Sequence, residues 1–254
     1  MIRFEFPLTE QVRTWLRLEA TWSRWRHFAQ ANTPDDHHAA LMALFECVDI
    51  AGRSDLKRHL IAALEALCAA PTAQETTSQR PRRIALHEPV AQALALIDAL
   101  RQQPGRIDHV MRTQPLLNAL RTRAHVSGGV CAFDLPTYHF WLNLSAEKRR
   151  ADLDAWAQPL HPLLDAIACV LAHLRAQSTP QTHTAANGCY QQPLDGRLPR
   201  LIQVWIDSAH RVVPKVSANK YQFNLHFIPV TDEGGIGTEA VSTQTVPFAL
   251  TLCY

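Results

Sequence analysis

Three arginines, Arg13, Arg17 and Arg24, recur at steps of four and seven residues. At 100° per residue on a helix they fall within about 40° of one another, with the neighbouring tryptophans on the other side. A lone stripe of this kind is ordinarily a solvated face. Further cations on separate elements, Arg53, Arg112, Arg121, Arg123, His139, Lys215 and Lys220, favour a second reading. Arginine presents a planar fork that holds a carboxylate through two parallel hydrogen bonds, so a fold that gathers these groups makes a cleft for an acidic protein segment. Lys148-Arg149-Arg150, balanced by Asp152 and Asp154, reads instead as an exposed helix face.

Other chemistries find less support. The thirteen histidines contain no HExxH or Cys/His knuckle spacing, and the adjacent His37 and His38 point to different faces of a helix, so no metal site is expected. Cys131, Asp134 and His139 have the residue types of a thiol nucleophile with its base, and a cysteine/histidine-dependent enzyme is the chief alternative to a binding protein. Nothing in their spacing sets sulfur against imidazole, and a core cysteine beside a helix-capping aspartate explains the same letters. There is no Walker loop and no GxGxxG, and Gly128-Gly129 are too few to cradle a phosphate, so no cofactor is expected.

Composition agrees with an ordinary globular protein: 254 residues, 47% hydrophobic, 19% charged. A formal net charge of +2, from 25 basic and 23 acidic residues, provides no global field toward nucleic acid or anionic lipid. No apolar run approaches the ~20 residues of a membrane span, and MIRFEFPLTE lacks the apolar run of a signal peptide, so a cytoplasmic protein is expected. The six cysteines include no CxxC pair, and four sit inside apolar patterns as small core residues, reduced in that compartment.

Positioning these groups requires many elements. Ile2, Phe4 and Phe6 alternate with Arg3 and Glu5 as a half-buried strand stopped by Pro7. From Thr9 the period becomes helical to about Gln30. Asp35 and Asp36 are candidate caps for a second helix, and Ser54 for a third. Residues 71–83 read as an exposed connection. Helical patterning returns from Pro89 to Leu100, resumes at Leu116–Leu120, and after a loop at Ser127-Gly128-Gly129 continues in two helices, one capped by Ser145 and one from Pro159 to about Gln177. Residues 178–188 read as a linker. Beyond it, 201–206, 212–216, 221–227 and 246–252 have strand period, with turns at Asp207-Ser208 and Asp232–Gly235, and suggest an antiparallel meander. The expected fold is α+β: an α-helical bundle domain at 8–178, then an antiparallel β-sheet domain at 188–254, whose edge the strand at 2–6 can close.

The segment SGGVCAFDLPTYHFWL at 127–142 resembles the ZapD family of bacterial cell-division proteins. RTWLRLE at 13–19, RADLDAW at 150–156, NGCYQQ at 187–192, VSANKYQF at 216–223 and VPFALTLC at 246–253 match it as well, in family order. The resemblance implies a helical domain followed by a strand domain, a homodimer, no cofactor and no enzymatic activity. It further implies binding of the acidic C-terminal tail of the tubulin-like protein FtsZ in a basic pocket, and bundling of FtsZ filaments at the mid-cell division site. By position, Arg17, His139 and Arg53 match basic pocket residues of the family. Pro115, Gln222 and His226 stand where family members carry arginines, and Arg112, Arg121 and Lys220 are near enough in sequence to compensate. The near-neutral charge and the lack of a basic, aromatic-rich strand face argue against nucleic acid as the partner.

Overall fold

The change of sequence period, from 3.6 to 2, appears as two units of different kinds. The computed structural model describes residues 1–52, 55–69, 82–103, 107–230 and 241–254, the side chains of 82–89 excepted. In chain order the elements are β1 (Ile2–Pro7), α1 (Glu10–Ala29), α2 (Pro34–Ala51), α3 (Leu56–Ala69), α4 (Arg82–Gln102), α5 (His109–Thr113), α6 (Pro115–Arg123), α7 (Pro136–Leu142), α8 (Ala146–Ala157) and α9 (His161–Ala176). The strands β2 (Gln181–Ala185), β3 (Cys189–Pro193), β4 (Leu201–Ile206), β5 (Val212–Ala218), β6 (Gln222–Pro229) and β7 (Val246–Cys253) follow. Chain contacts divide these into a helical unit, Thr14–Val170, and a strand unit, Met1–Arg13 with Leu171–Tyr254.

In the helical unit the apolar spacing becomes buried faces: Leu41, Leu44 and Val48 of α2, and Leu56, Leu60 and Leu64 of α3. The cap of α2 is Thr33, whose hydroxyl accepts from the Asp36 amide at 3.1 Å. Asp35 and Asp36, the expected caps, instead lie in the first turn, where their charge faces the positive end of the helix dipole. Ser145 caps α8 as expected, accepting from the Lys148 amide. Helix α4 starts at Arg82, ahead of Pro89, and packs along α3. The short helices α5 and α7 are additional to the sequence reading. Ser54, the turn at 232–235 and residues 71–81 of the expected connection lie outside the described residues.

Arg149 is not on an exposed face: it is 4% exposed, and its hydrogen bonds among the described residues go to neutral acceptors. Its Nε donates to His37 Nδ1 at 2.7 Å, Nη1 to the carbonyls of Leu142 (2.8 Å) and Leu144, and Nη2 to the Asn32 carbonyl at 2.6 Å. Because His37 Nδ1 accepts, its Nε2 carries the proton and donates to the Ala31 carbonyl at 2.8 Å. One side chain thereby ties the α1–α2 turn to the α7–α8 turn.

The strand unit is a sandwich of two antiparallel sheets, ordered β1-β4-β7-β2 and β3-β6-β5, where the pattern suggested a single meander. The N-terminal strand joins as expected, from Ile2 opposite Ile206 to Pro7 opposite Leu201. Ile202, Val204, Ile206, Phe248 and Leu250 of the first sheet face Phe223, Leu225 and Phe227 of the second. The outer side of the first sheet carries Glu5, gripped by Arg175 at the end of α9 through Nε (2.8 Å) and Nη2 (2.7 Å), and by Gln203 Nε2 at 2.7 Å. Residues 181–185, expected within a linker, form β2 by pairing antiparallel with β7, and Asn187-Gly188 then turns the chain into β3 of the other sheet. Both turn residues have positive φ (49° and 67°), and Cys189 N donates to Ala186 O, the geometry of a two-residue hairpin turn. A Cβ on Gly188 would meet the Ser242 carbonyl oxygen at 2.4 Å, so glycine is required by space as well as by φ.

Candidate protein-docking surface

The cations singled out by sequence differ in what already holds them. Arg13, Arg17 and Arg24 are all exposed along α1. Arg24 Nη2 pairs with Glu46 Oε2 of α2 at 2.7 Å, and Arg121 Nη2 of α6 pairs with Asp49 of the same helix. Glu46 and Asp49 are three residues apart, hence on one side of α2. Two of the expected cations, from helices far apart in sequence, are therefore gathered on one short acidic ridge. Arg13 reaches Glu10 at 3.6 Å and Arg112 reaches Asp108 at 2.7 Å, both within a turn of their own helix. Arg17 makes no ion pair among the described residues. Arg53 lies outside them.

An exposed pair of this kind contributes about 0–1 kcal/mol. Each guanidinium can exchange its own carboxylate for an incoming one at little net cost, while Arg17 has none to give up among the described residues.

His139 is exposed on α7, and the route to it is built locally. Val126 N donates to Arg123 O, Gly129 N to Val126 O, and both Asp134 N and Leu135 N to Cys131 O, so 123–135 is a chain of tight turns. A Cβ at Gly129 would come within 2.8 Å of the Arg123 carbonyl, which excludes other residues there. Arg123 Nη1 to Asp134 Oδ1 at 3.2 Å ties the end of α6 to the approach of α7. Helix α7 opens with Pro136 and turns Tyr138 and Trp141 inward. Tyr138 Oη and His38 Nδ1 share a hydrogen bond at 2.7 Å, and burial pushes the Tyr138 phenol well above its usual range. The consequence lies on the opposite side. Phe133 (83% exposed), Phe140 (69%) and Val126 (59%) face solvent, as do Arg123 and His139. The sequence reading singled out cations and passed over these apolar groups, although inward Tyr138 and Trp141 require Phe140 to point away.

Lys220 belongs to the strand unit, in the β5–β6 turn, with Nζ 4.8 Å from the Tyr221 ring centre. Asn219 Oδ1 shapes that turn by accepting from the amides of Tyr221 and Gln222. Gln222 and His226 lie on the outer side of β6, His226 directly across from Lys215 of β5. Pro115 is the first residue of α6, where a proline costs nothing.

Asp134 is held by Arg123, the His139 ring neighbours Asn143 Nδ2 at 3.5 Å, and no hydrogen bond joins Cys131 to His139 among the described residues. No cluster of three metal-ligating side chains occurs among the described residues, and no helix there is long and apolar enough to cross a membrane.

Comparison with known proteins adds a family. The family model ZapD, described as Cell division protein, matches residues 16–226. The Cell division protein ZapD of Azoarcus sp. (strain BH72) is 40% identical over 258 aligned residues, covering all of this chain and 99% of that protein. Proteins of the same name from Aromatoleum aromaticum (37% over 264 residues, 97% of that protein) and Dechloromonas aromatica (38% over 259 residues, 99%) also align with all of the chain.

Proposed function

The chain belongs to the ZapD family of cell division proteins, and from that premise we propose that it is a cytoplasmic adaptor that binds the acidic C-terminal tail of FtsZ and, as a homodimer, bundles FtsZ filaments at the mid-cell division site. What supports this reading is that the helical unit carries both the arginines with exchangeable carboxylates, Arg24 and Arg121, and the solvent-facing Phe133 and Phe140. A flexible tail with acidic and apolar residues is the partner such a surface suits. Its carboxylates meet Arg17 and His139 directly and displace Glu46 and Asp49 from Arg24 and Arg121. Its apolar side chains cover the two phenylalanines. No bond is made or broken in the tail, and the protein acts as a clamp and not as an enzyme.

Ordering the tail costs entropy, so a single site binds weakly. Two sites on one dimer change the outcome: once one tail is held, the second site meets a high local concentration of tails along the polymer, and avidity exceeds the single affinity by ~10²-fold or more. The test is titration of a labelled FtsZ tail peptide against wild type, Arg17→Glu and Phe133→Ser. Each substitution is expected to weaken binding by ~1–3 kcal/mol without lowering the melting temperature, and Arg17→Glu alone is expected to flatten the dependence on salt. Unchanged affinity in both variants removes this surface as the tail site.

A further inference from the structure

The geometry points to β1 as the contact strand between two copies of this chain, paired antiparallel with its own counterpart about a two-fold axis at Phe4. This rests on the two-copy reading above and assigns it a surface.

Strand β1 is the edge of its sheet, hydrogen-bonded to β4 on one side only, so alternate N–H and C=O groups on the other side have no strand partner among the described residues. Its sequence, Ile2-Arg3-Phe4-Glu5-Phe6, is self-complementary when run against itself: Ile2 falls opposite the second copy's Phe6, Arg3 opposite Glu5, and Phe4 opposite Phe4. A slip by one residue would set Arg3 against Phe4 or Phe6 and turn one strand's apolar face outward, so only the centred register satisfies both faces.

Each face has a place for what arrives. On the inner face a cavity of about 220 Å³ opens beside β1, lined by Ile2, Phe4, Ile206, Val212, Val213 and Val230. Ile2, 47% exposed, is the residue opposite which the second copy's Phe6 falls, so an aromatic ring is brought to a space that is lined mainly by apolar side chains, with Asp207, Ser208 and Arg211, and is open among the described residues. On the outer face Glu5 Oε1 accepts from Arg175 Nε and Gln203 Nε2, and Oε2 accepts from Arg175 Nη2. A carboxylate offers about four lone-pair directions, so Glu5 keeps acceptor capacity for the exposed Arg3 that the centred register sets opposite it. Pro7, which ends the strand, keeps the pairing short.

Sedimentation equilibrium of the full chain over a concentration series tests this, with wild type, Arg3→Lys and Arg3→Glu. Residue 3 is exposed, so the fold should survive the changes, and circular dichroism checks that it does. The expected result is a wild-type dimer, retained by Arg3→Lys, whose dissociation constant rises at least about tenfold in Arg3→Glu, as the introduced carboxylate meets Glu5 of the second copy. Amide exchange in residues 2–6 should also slow as concentration rises. A dimeric wild type with an equally dimeric Arg3→Glu, or with concentration-independent exchange at 2–6, overturns the β1 contact and leaves the two-copy reading standing. A monomeric wild type overturns both.

Discussion

Each unit takes a guanidinium away from water, and each answers it differently. In the helical unit Arg149 is buried among neutral acceptors, three backbone carbonyls and an imidazole nitrogen. In the strand unit the largely buried Arg175 faces a carboxylate, Glu5, through two parallel bonds. The first arrangement fixes positions, because four acceptors from two segments far apart in sequence converge on one planar group. The second neutralises charge, and its geometry is shared with Gln203. Arg149 therefore carries connectivity between segments, Arg175 a local pairing.

The sharpest way to break the comparison is to remove each centre. Arg149→Met keeps the stem volume but strands three carbonyls and His37, and is expected to cost about 3–5 kcal/mol of unfolding free energy in urea titration. A loss under about 1 kcal/mol would show that these acceptors do not depend on the guanidinium.

How far was this legible beforehand? The alternation at 2–6 and the helical spacing in α1, α2 and α3 announce their elements, because one buried face imposes a period. Helix α7 went unread because two turns hold too few residues to establish a period. Strand β2 went unread because the polar QTHTA resembles a linker, although Asn187-Gly188 is itself a hairpin signal. Arg149 was misread because its neighbours Lys148 and Arg150 are ordinary surface cations, and its acceptors Asn32 and His37 lie more than a hundred residues away. The cations at Arg24 and Arg121 are visible in sequence, but the ridge of Glu46 and Asp49 that gathers them is a product of tertiary packing.

A smaller effect is expected at the other centre. Glu5→Gln keeps an acceptor for Arg175 but removes the charge, at a cost of about 1–2 kcal/mol in the same titration. Burial alone would raise the Glu5 pKa, but hydrogen bonds from Arg175 and Gln203, with the charge of Arg175, bring it below its usual 4.5. The stability it contributes is therefore present above that value and lost as pH falls through the folded-state pKa. Glu5→Gln should lose this acid limb, and an unchanged limb would assign it to other carboxylates.

The smallest effect is at His37. Burial, followed by the charge of Arg149, lowers its pKa below 6.5, outweighing the Ala31 carbonyl that raises it. The unfolded chain takes up this proton first, so His37 should destabilise the fold progressively as pH drops below about 6.5 and have no effect above it. Replacing His37 with Gln, whose carbonyl still accepts from Arg149, should flatten the stability curve between about pH 7 and 5.5 relative to wild type. Parallel curves would assign the slope to another group.

The place of β4 between β1 and β7 also has a consequence for biosynthesis. During translation β1 leaves the ribosome first and must wait, through the synthesis of every helix, for the partner that begins at Leu201 and the flanking strand that begins at Val246. The helical unit can fold on the nascent chain, whereas this sheet closes only after β7 has emerged. Throughout that interval Ile2, Phe4 and Phe6 form an apolar strand without its partner in the sheet.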